Sequence, residues 1–245
     1  MPDGTAPDAF STLDSAAIGG HPFPAQLLLW LSPAFPVGGF AFSHGLEWAA
    51  ERGWVKDRAT LEAWIVDLVT LGSVANDLVL LAAAWRAATA GDDAALCEAA
   101  ELAVALQPSA ERHLEAVTQG GSFVAQIEAA WPCDDVTRLK EMMQGGEIAY
   151  CTAVAVAAAG HGIALFAVLG GYGLAFAGNL VSASVRLGVV GQTDGQRVLA
   201  ALVPVIETAA RRASASTLDD LGGACWRSDL ASLQHETQYT RLFRS

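Results

Sequence analysis

The 245-residue chain carries 14 Lys and Arg residues against 26 Asp and Glu residues, a formal net charge of −12. This acidic balance argues against nucleic-acid binding, because phosphate recognition needs a basic surface. A hydrophobic fraction of 53% is ample for a core and excludes global disorder. No Lys or Arg precedes Arg52, so we expect no targeting leader, and four scattered cysteines indicate a reduced, cytoplasmic protein.

The first part of the chain divides into a tail and the start of a folded domain. Residues 1–22 are rich in Pro, Gly, Ser, Thr and Asp, which predicts a flexible N-terminal tail. An apolar run at 27–31 begins the folded part, for which we predict one all-helical domain over 23–234. The stretch "SPAFPVGGF" (32–40) holds two prolines and two glycines and predicts a turn-rich loop.

This loop is predicted to be a structural joint. Pro36, Gly38 and Gly39 should fix a turn that directs Phe35 and Phe40 into the helical core or a subunit interface.

The stretch that follows the loop, "SHGLEWAAERGWV", predicts a short helix that ends near Gly53. Ser43 is its predicted N-cap, and Gly45 and Glu47 complete the motif. "AFSHG" has the outline of a nucleophile elbow, but an elbow needs a strand before the serine and a loop precedes Ser43 here. A structural cap is therefore the favoured interpretation.

The middle of the chain is strongly helical in pattern. The predicted helices cover a stripe of apolar residues from Thr60, then 77–89, 92–106, 109–131 and 134–143, and no strand pattern is found. Charged residues such as Glu111, Arg112 and Glu115 are interpreted as solvated decoration of a helix face. The sequence therefore predicts an all-α, bundle-like fold.

The segment 148–185 contains no Asp, Glu, Lys or Arg and is long enough to span a bilayer. Alanine dominates where Leu and Ile are expected, and glycines such as Gly160, Gly162 and Gly170 should divide it into shorter helices. We therefore favour a pair of buried helices over a membrane protein.

A polar segment, "RLGVVGQTDGQR" (186–197), follows this apolar region, and we interpret it as a surface loop before a helix that ends near Ala215. Its candidate binding residues are Arg186, Gln192, Thr193, Asp194, Gln196 and Arg197. The five histidines form no metal-binding spacing, and no isolated carboxylate pair suggests acid–base catalysis. A binding protein is favoured, with an enzyme using the 186–197 segment as the alternative.

The C-terminal segment, residues 235–245, reads "HETQYTRLFRS". If it is helical, Tyr239, Leu242 and Phe243 share one face, with Arg241 and Arg244 beside them. Ordering eleven residues costs on the order of 11 kcal/mol in backbone entropy, more than three apolar side chains return. We therefore predict a segment outside the helical core that becomes ordered when it docks on a partner.

Three stretches together resemble the UreF family of urease accessory proteins: "LSPAFPVGGFAFSHGLEWAAERGWV" (31–55), "NLVSASVRLGVVGQTDGQRVLAAL" (179–202) and the C-terminal segment. They cover about a quarter of the chain, and 109–123 is similar more loosely. "GGEIAYCTAV" (145–154) departs from the family, whose members often place His and Pro there.

The resemblance implies an all-helical, homodimeric and non-catalytic protein that bridges the scaffold UreD (UreH in some organisms) and the GTPase UreG. It implies delivery of nickel to apo-urease by the assembled complex, with no stably bound cofactor or metal in this chain. We assign the 186–197 residues to UreG. The residues assigned to UreD are His235, Glu236, Tyr239, Arg241, Leu242, Phe243 and Arg244.

Overall fold

A computed structural model describes residues 24–245. The N-terminal tail predicted over 1–22 lies outside the described residues. The α-helices are α1 (Ala25–Trp30), α2 (Leu46–Glu51), α3 (Arg58–Leu71), α4 (Ser73–Ala90), α5 (Asp93–Ala105), α6 (Ala110–Ala130), α7 (Asp134–Met142), α8 (Tyr150–Gly160), α9 (Leu165–Arg186), α10 (Gln192–Ala215) and α11 (Trp226–His235). No strand occurs within 24–245, and the all-α prediction is confirmed.

The helices begin where local capping chemistry places them. Asp57 accepts a hydrogen bond from the Thr60 N–H at 2.9 Å and completes a capping box at the start of α3. Asp92 and Ser109 cap α5 and α6 in the same way. These side chains satisfy backbone donors that lack a partner inside the helix, so the helix starts can be read from the sequence.

The core is centred on α4 and α8, which pack closely along their lengths. Almost all of α8 is buried, as its uncharged sequence predicts. The apolar stripe of α3 is buried as predicted: Leu61, Trp64, Ile65, Leu68 and Val69. Small side chains on α4 and α8 allow the two helix axes to approach each other.

The glycines of the apolar segment do not all end helices. Gly162, with φ +66°, lies between α8 and α9, but Gly170 lies inside α9. Gly173, also within α9, faces Ile206 of α10, where an added Cβ would come within 2.8 Å of the Ile206 side chain. The expectation that Gly170, Gly171 and Gly173 divide the segment is therefore wrong, because all three lie inside the continuous helix α9.

Two stretches, Arg58–Ala90 and Leu165–Arg186, are long and apolar enough to cross a membrane by length and composition alone. Gly72 divides the first stretch into α3 and α4. In the fold, 61% and 39% of their most apolar windows are buried. Both stretches thus contribute helices to the core.

Candidate functional site

The three sequence motifs meet in space at one place, which we call the junction. It consists of residues 39–47, Arg186 and the C-terminal segment. The Ser43 N–H donates to the Ser245 carbonyl at 2.8 Å, and the Arg244 N–H donates to the Ala41 carbonyl at 2.8 Å. The Ser43 hydroxyl also donates to the Ser245 carbonyl. These backbone contacts hold the C-terminal segment against the chain that leads into α2.

Glu47 of α2 anchors the C-terminal segment through its carboxylate. One oxygen accepts the Leu242 N–H at 2.7 Å, and the other accepts the Phe243 N–H at 2.9 Å. Hydrogen bonds to an ionised acceptor are stronger than those between neutral groups. Glu47 is buried, so a single side chain fixes two successive backbone amides away from water.

His235, at the end of α11, is fully buried between two carboxylates. Its Nδ1 lies 2.6 Å from Glu111 Oε2, and its Nε2 lies 3.1 Å from Glu47 Oε2. Arg241 donates to the other oxygen of Glu111 at 2.6 Å. The imidazole and the two carboxylates therefore join α2, α6 and α11 into one network under the C-terminal segment.

Glu115, one helical turn after Glu111, extends the network toward the core. It accepts hydrogen bonds from Arg112 at 3.0 Å, Gln119 at 3.3 Å and the Ser245 hydroxyl at 3.1 Å. Burial raises the pKa of the Glu115 carboxyl, while Arg112 and the Ser245 hydroxyl oppose the shift. A buried carboxylate with these three donors has the partners that its burial requires.

Arg186 brings the second motif into the junction. Its guanidinium donates to the Phe40 carbonyl at 2.6 Å and lies 4.3 Å from the centre of the Phe243 ring. Burial lowers the pKa of Arg186. The residue assigned to UreG thus contacts the phenylalanine assigned to UreD.

The C-terminal segment differs from its predicted conformation. It is not helical after His235, so Tyr239, Leu242 and Phe243 do not share a face. Phe243 is 4% exposed, whereas Leu242 is 63% exposed and Tyr239 is fully exposed. The prediction that the segment 235–245 lies outside the core is wrong for His235, Phe243 and Ser245. His235 is fully buried between Glu47 and Glu111, and Glu47 and Ser43 bind the backbone of Phe243 and Ser245.

Other UreD-assigned side chains also have partners inside the chain. Glu236 accepts the Ala110 N–H at 2.8 Å, at the start of α6. Arg241 is occupied by Glu111, while the Arg244 side chain is exposed. Of the assigned set, Tyr239, Leu242 and Arg244 are exposed without an ion-pair partner within residues 24–245, and Arg241 is 40% exposed although it pairs with Glu111.

The 186–197 segment is a loop only over 187–191. Gln192 to Arg197 form the first turns of α10, so the prediction of one continuous surface loop is wrong. Gln192, Thr193 and Gln196 are exposed there. Asp194 is partly exposed and pairs with exposed Arg197 at 2.8 Å. The three consecutive polar residues before Gly195 are as compatible with the first turn of a helix as with a loop.

The first motif is partly as predicted. Phe35 is buried, but Phe40 is 71% exposed and contributes nothing to the core of this chain. Gly38 has φ +77°, which supports the predicted turn. Gly45 is the N-terminal boundary residue of α2, so Ser43 is not the N-cap, although its hydroxyl accepts the Glu47 N–H at 3.3 Å.

The acidic network itself was missed by sequence reasoning. Glu111, Arg112 and Glu115 of α6 are buried, so their interpretation as solvated decoration is wrong. Two features of the sequence could have indicated that these residues are buried. They lie in the stretch 109–123, which resembles the family loosely, and Glu111, Glu115 and Gln119 follow one another at intervals of four on one helix face. A single sequence does not indicate that this face of α6 is buried by the C-terminal segment, more than a hundred residues later.

Comparison with known proteins identifies the family. The family model described as UreF matches residues 55–203. A urease accessory protein UreF of Rhodopseudomonas palustris is 51% identical over 247 residues, with both chains covered completely. The chain belongs to the UreF family.

Other UreF relatives are as similar over most of their length. The urease accessory protein UreF of Methylobacterium radiotolerans is 52% identical over 220 residues, covering 90% of this chain and 96% of that protein. The one of Xanthobacter autotrophicus is 49% identical over 219 residues, covering 89% and 90%. The R. palustris match includes all three motifs of the junction, two of which extend beyond the region matched by the family model.

Proposed function

We propose that this UreF protein is a non-catalytic adaptor in urease maturation. It bridges a UreD-type scaffold and the GTPase UreG in the cytoplasm, so that the assembled complex delivers nickel to apo-urease. Family membership supports a role beside other maturation factors. The chain itself holds no resident cofactor in this proposal, and nickel is cargo of the complex.

The contact between Arg186 and Phe243 is the observation that carries the bridging proposal. The guanidinium lies 4.3 Å from the ring centre, so the two partner-assigned regions adjoin at the junction. Two adjoining binding sites can make recruitment of one partner depend on the other. A partner that displaces Arg186 or Phe243 breaks the contact between them and so changes the site of the other partner. The buried network beneath the C-terminal segment holds its exposed residues in a fixed position.

Binding to the scaffold is assigned to the exposed part of the C-terminal segment. Replacing Tyr239 and Leu242 together by alanine should abolish co-purification with UreD and leave thermal unfolding unchanged, since both side chains are exposed. The control is Phe166→Ala, an exposed aromatic residue at the opposite end of α9 from Arg186. Undiminished UreD binding by the double variant would contradict the assignment.

Recruitment of UreG is assigned to the start of α10. Arg197→Glu should weaken recruitment of UreG by the complex, because an exposed arginine is replaced by a charge of opposite sign. Arg211→Glu is the matched control, since Arg211 is also an exposed, acid-paired arginine of α10 but lies near its other end. Equal UreG capture by the two variants would refute the assignment.

We assign the interface of the proposed homodimer to a separate apolar surface. Leu28, Phe40 and Leu174 are exposed and border one cavity mouth, and exposed apolar side chains grouped in this way favour burial against a second copy. Light scattering should give twice the 25.4 kDa chain mass. Phe40→Asp should shift the mass to that of a monomer, and an unchanged dimer would place the interface elsewhere.

A further inference from the structure

A cavity of about 880 Å³ lies beneath the loop that precedes α2. Its walls come from α1, the 31–40 loop, α4, α6, α8 and α9. Most of the surface is apolar, with Leu27, Leu31 and Phe35 on one side and Phe176 on another. A volume of this size and a largely apolar wall are typical of sites for small organic molecules.

The cavity wall carries two carboxylates, Asp77 of α4 and Glu115 of α6. Arg112, also in the wall, pairs with Glu115 at 3.0 Å, whereas Asp77 has no such counter-charge among the described residues. It is buried, and Tyr172 donates a hydrogen bond to its Oδ2 at 3.1 Å. Within residues 24–245, no Lys, Arg or His lies at ion-pair distance from it. Burial, with a smaller contribution from the charge of Glu115, raises the pKa of Asp77 to about 7, although the hydrogen bond from Tyr172 opposes the shift. The carboxylate would be stabilised by a cation placed in the cavity.

Aromatic rings of the cavity wall lie beside Asp77. The rings of Tyr172 and Tyr150 are 5.6 Å apart between centres and tilted by 40°. Phe176 packs edge-on against His44 at 4.7 Å and forms a further aromatic part of the wall. Aromatic faces attract organic cations, and their apolar area accommodates the body of the molecule that carries the charge.

The chemistry of the wall distinguishes an organic cation from a metal ion. In the part of the chain that the structure describes, no group of three or more His, Cys, Asp or Glu side chains is placed to hold a metal. A divalent ion needs several such ligands or retained waters, whereas an ammonium group needs one carboxylate and a few acceptors. Asp77 and the hydroxyl oxygen of Tyr172 supply these.

We propose that this cavity is a binding site for an organic ammonium compound. The ammonium group bonds Asp77, and the aromatic or aliphatic body of the ligand lies against Tyr150, Tyr172 and Phe176. The site uses neither the C-terminal segment nor the exposed start of α10. Its mouth is bordered by Leu28, Phe40 and Leu174, the residues of the dimer surface proposed above.

The test is calorimetric titration of the full chain with 2-phenylethylammonium at pH 8, where Asp77 is mostly ionised. The neutral isostere 2-phenylethanol is the comparison ligand. We expect saturable binding of the amine and at least about tenfold weaker binding of the alcohol, because only the amine supplies a charge. Absence of amine binding at millimolar concentration, or equal affinity for both ligands, would overturn the proposal.

Two variants locate the binding. Asp77→Asn should weaken amine binding by at least about tenfold, whereas Asp67→Asn, an exposed aspartate of α3, should leave it unchanged. Gly178→Leu adds a side chain where an added Cβ meets no atom within 4 Å, so it should block the cavity with the fold intact. Wild-type affinity in Asp77→Asn or in Gly178→Leu would show that the amine binds elsewhere and would refute the site.

Discussion

Glu47 makes three contacts that fix the position of the C-terminal segment. Its two oxygens bind the amides of Leu242 and Phe243, and one of them also contacts His235. No other side chain of α2 reaches the C-terminal segment through hydrogen bonds within the described residues. The position of the C-terminal segment therefore depends on the carboxylate of Glu47.

Glu47→Gln should destabilise the protein by about 3 kcal/mol, because a neutral amide replaces a buried carboxylate that bonds His235 and two backbone amides. Hydrogen exchange at the amides of Leu242 and Phe243 should accelerate together with this loss. Urea unfolding and exchange measured on one sample check both effects. Glu51→Gln, an exposed position of the same helix, is the control and should leave both unchanged. Wild-type protection of the two amides in Glu47→Gln would refute this role.

Asp77 makes stability depend on pH. Its folded pKa of about 7 lies above the ordinary aspartate value of 3.8, so the folded state binds more protons than the unfolded state between these values. Stability contributed by this group is therefore complete below pH 4 and falls as pH rises to about 7. At about 1.4 kcal/mol per pKa unit, the loss is on the order of 4 kcal/mol.

The variant Asp77→Asn isolates this contribution. Asparagine does not ionise, so the stability of the variant relative to wild type should rise from pH 4 to pH 8 by up to about 4 kcal/mol. Urea unfolding at several pH values measures the difference, and titration of the other carboxylates cancels in the comparison. A difference that does not change with pH would mean that Asp77 has an ordinary pKa in the fold.

At the scale of elements, α2 and α11 are held in close contact by Gly45. This residue has φ +76°, and an added Cβ would lie 2.8 Å from the backbone nitrogen of Ser232 in α11. The preceding residue, His44, also has a positive φ of 62°. The turn into α2 therefore depends on a residue without a side chain, for both conformation and space.

Gly45→Ala should cost considerably more stability than Gly53→Ala. Gly53 has a similar φ of +70° but meets no atom within 4 Å of an added Cβ, so it reports the conformational cost of about 1–2 kcal/mol alone. The excess at Gly45 measures the clash with α11. Chemical denaturation of both variants gives the comparison, and equal losses would show that α11 moves away freely.

The helices could be predicted from the sequence where capping residues and apolar spacing agree. The roles of residues that contact distant parts of the chain could not. Asp57, Asp92 and Ser109 mark helix starts through bonds to residues three positions later, which a sequence displays directly. Glu111 and His235 are 124 positions apart, and their pairing depends on how α6 and α11 pack. A polar residue that is buried by distant chain looks identical in sequence to a solvated one.

At the scale of the whole molecule, the C-terminal segment belongs to the fold of the free chain. Phe243 is buried beneath Arg186, and Ser245 is fully buried with Ser43 and Glu115 as partners. The entropy of ordering is offset by charge-assisted bonds to Glu47 and Glu111 as well as by apolar burial. The sequence-based estimate counted the apolar side chains and omitted the two carboxylates.

Deleting residues 236–245 should therefore lower the melting temperature of the free protein by roughly 10 °C. The deletion exposes the Phe243 pocket and leaves His235, Glu47 and Glu111 without part of their network, a loss of at least about 3 kcal/mol. Hydrogen exchange in the intact chain should be slow at Leu242 and Phe243 and fast at Tyr239, which lies on the surface. The control is the Tyr239 and Leu242 double alanine variant, which should melt with the wild type. If the truncated protein also melts with the wild type, and residues 242–245 exchange rapidly until UreD is added, the segment is ordered by its partner and not by Glu47.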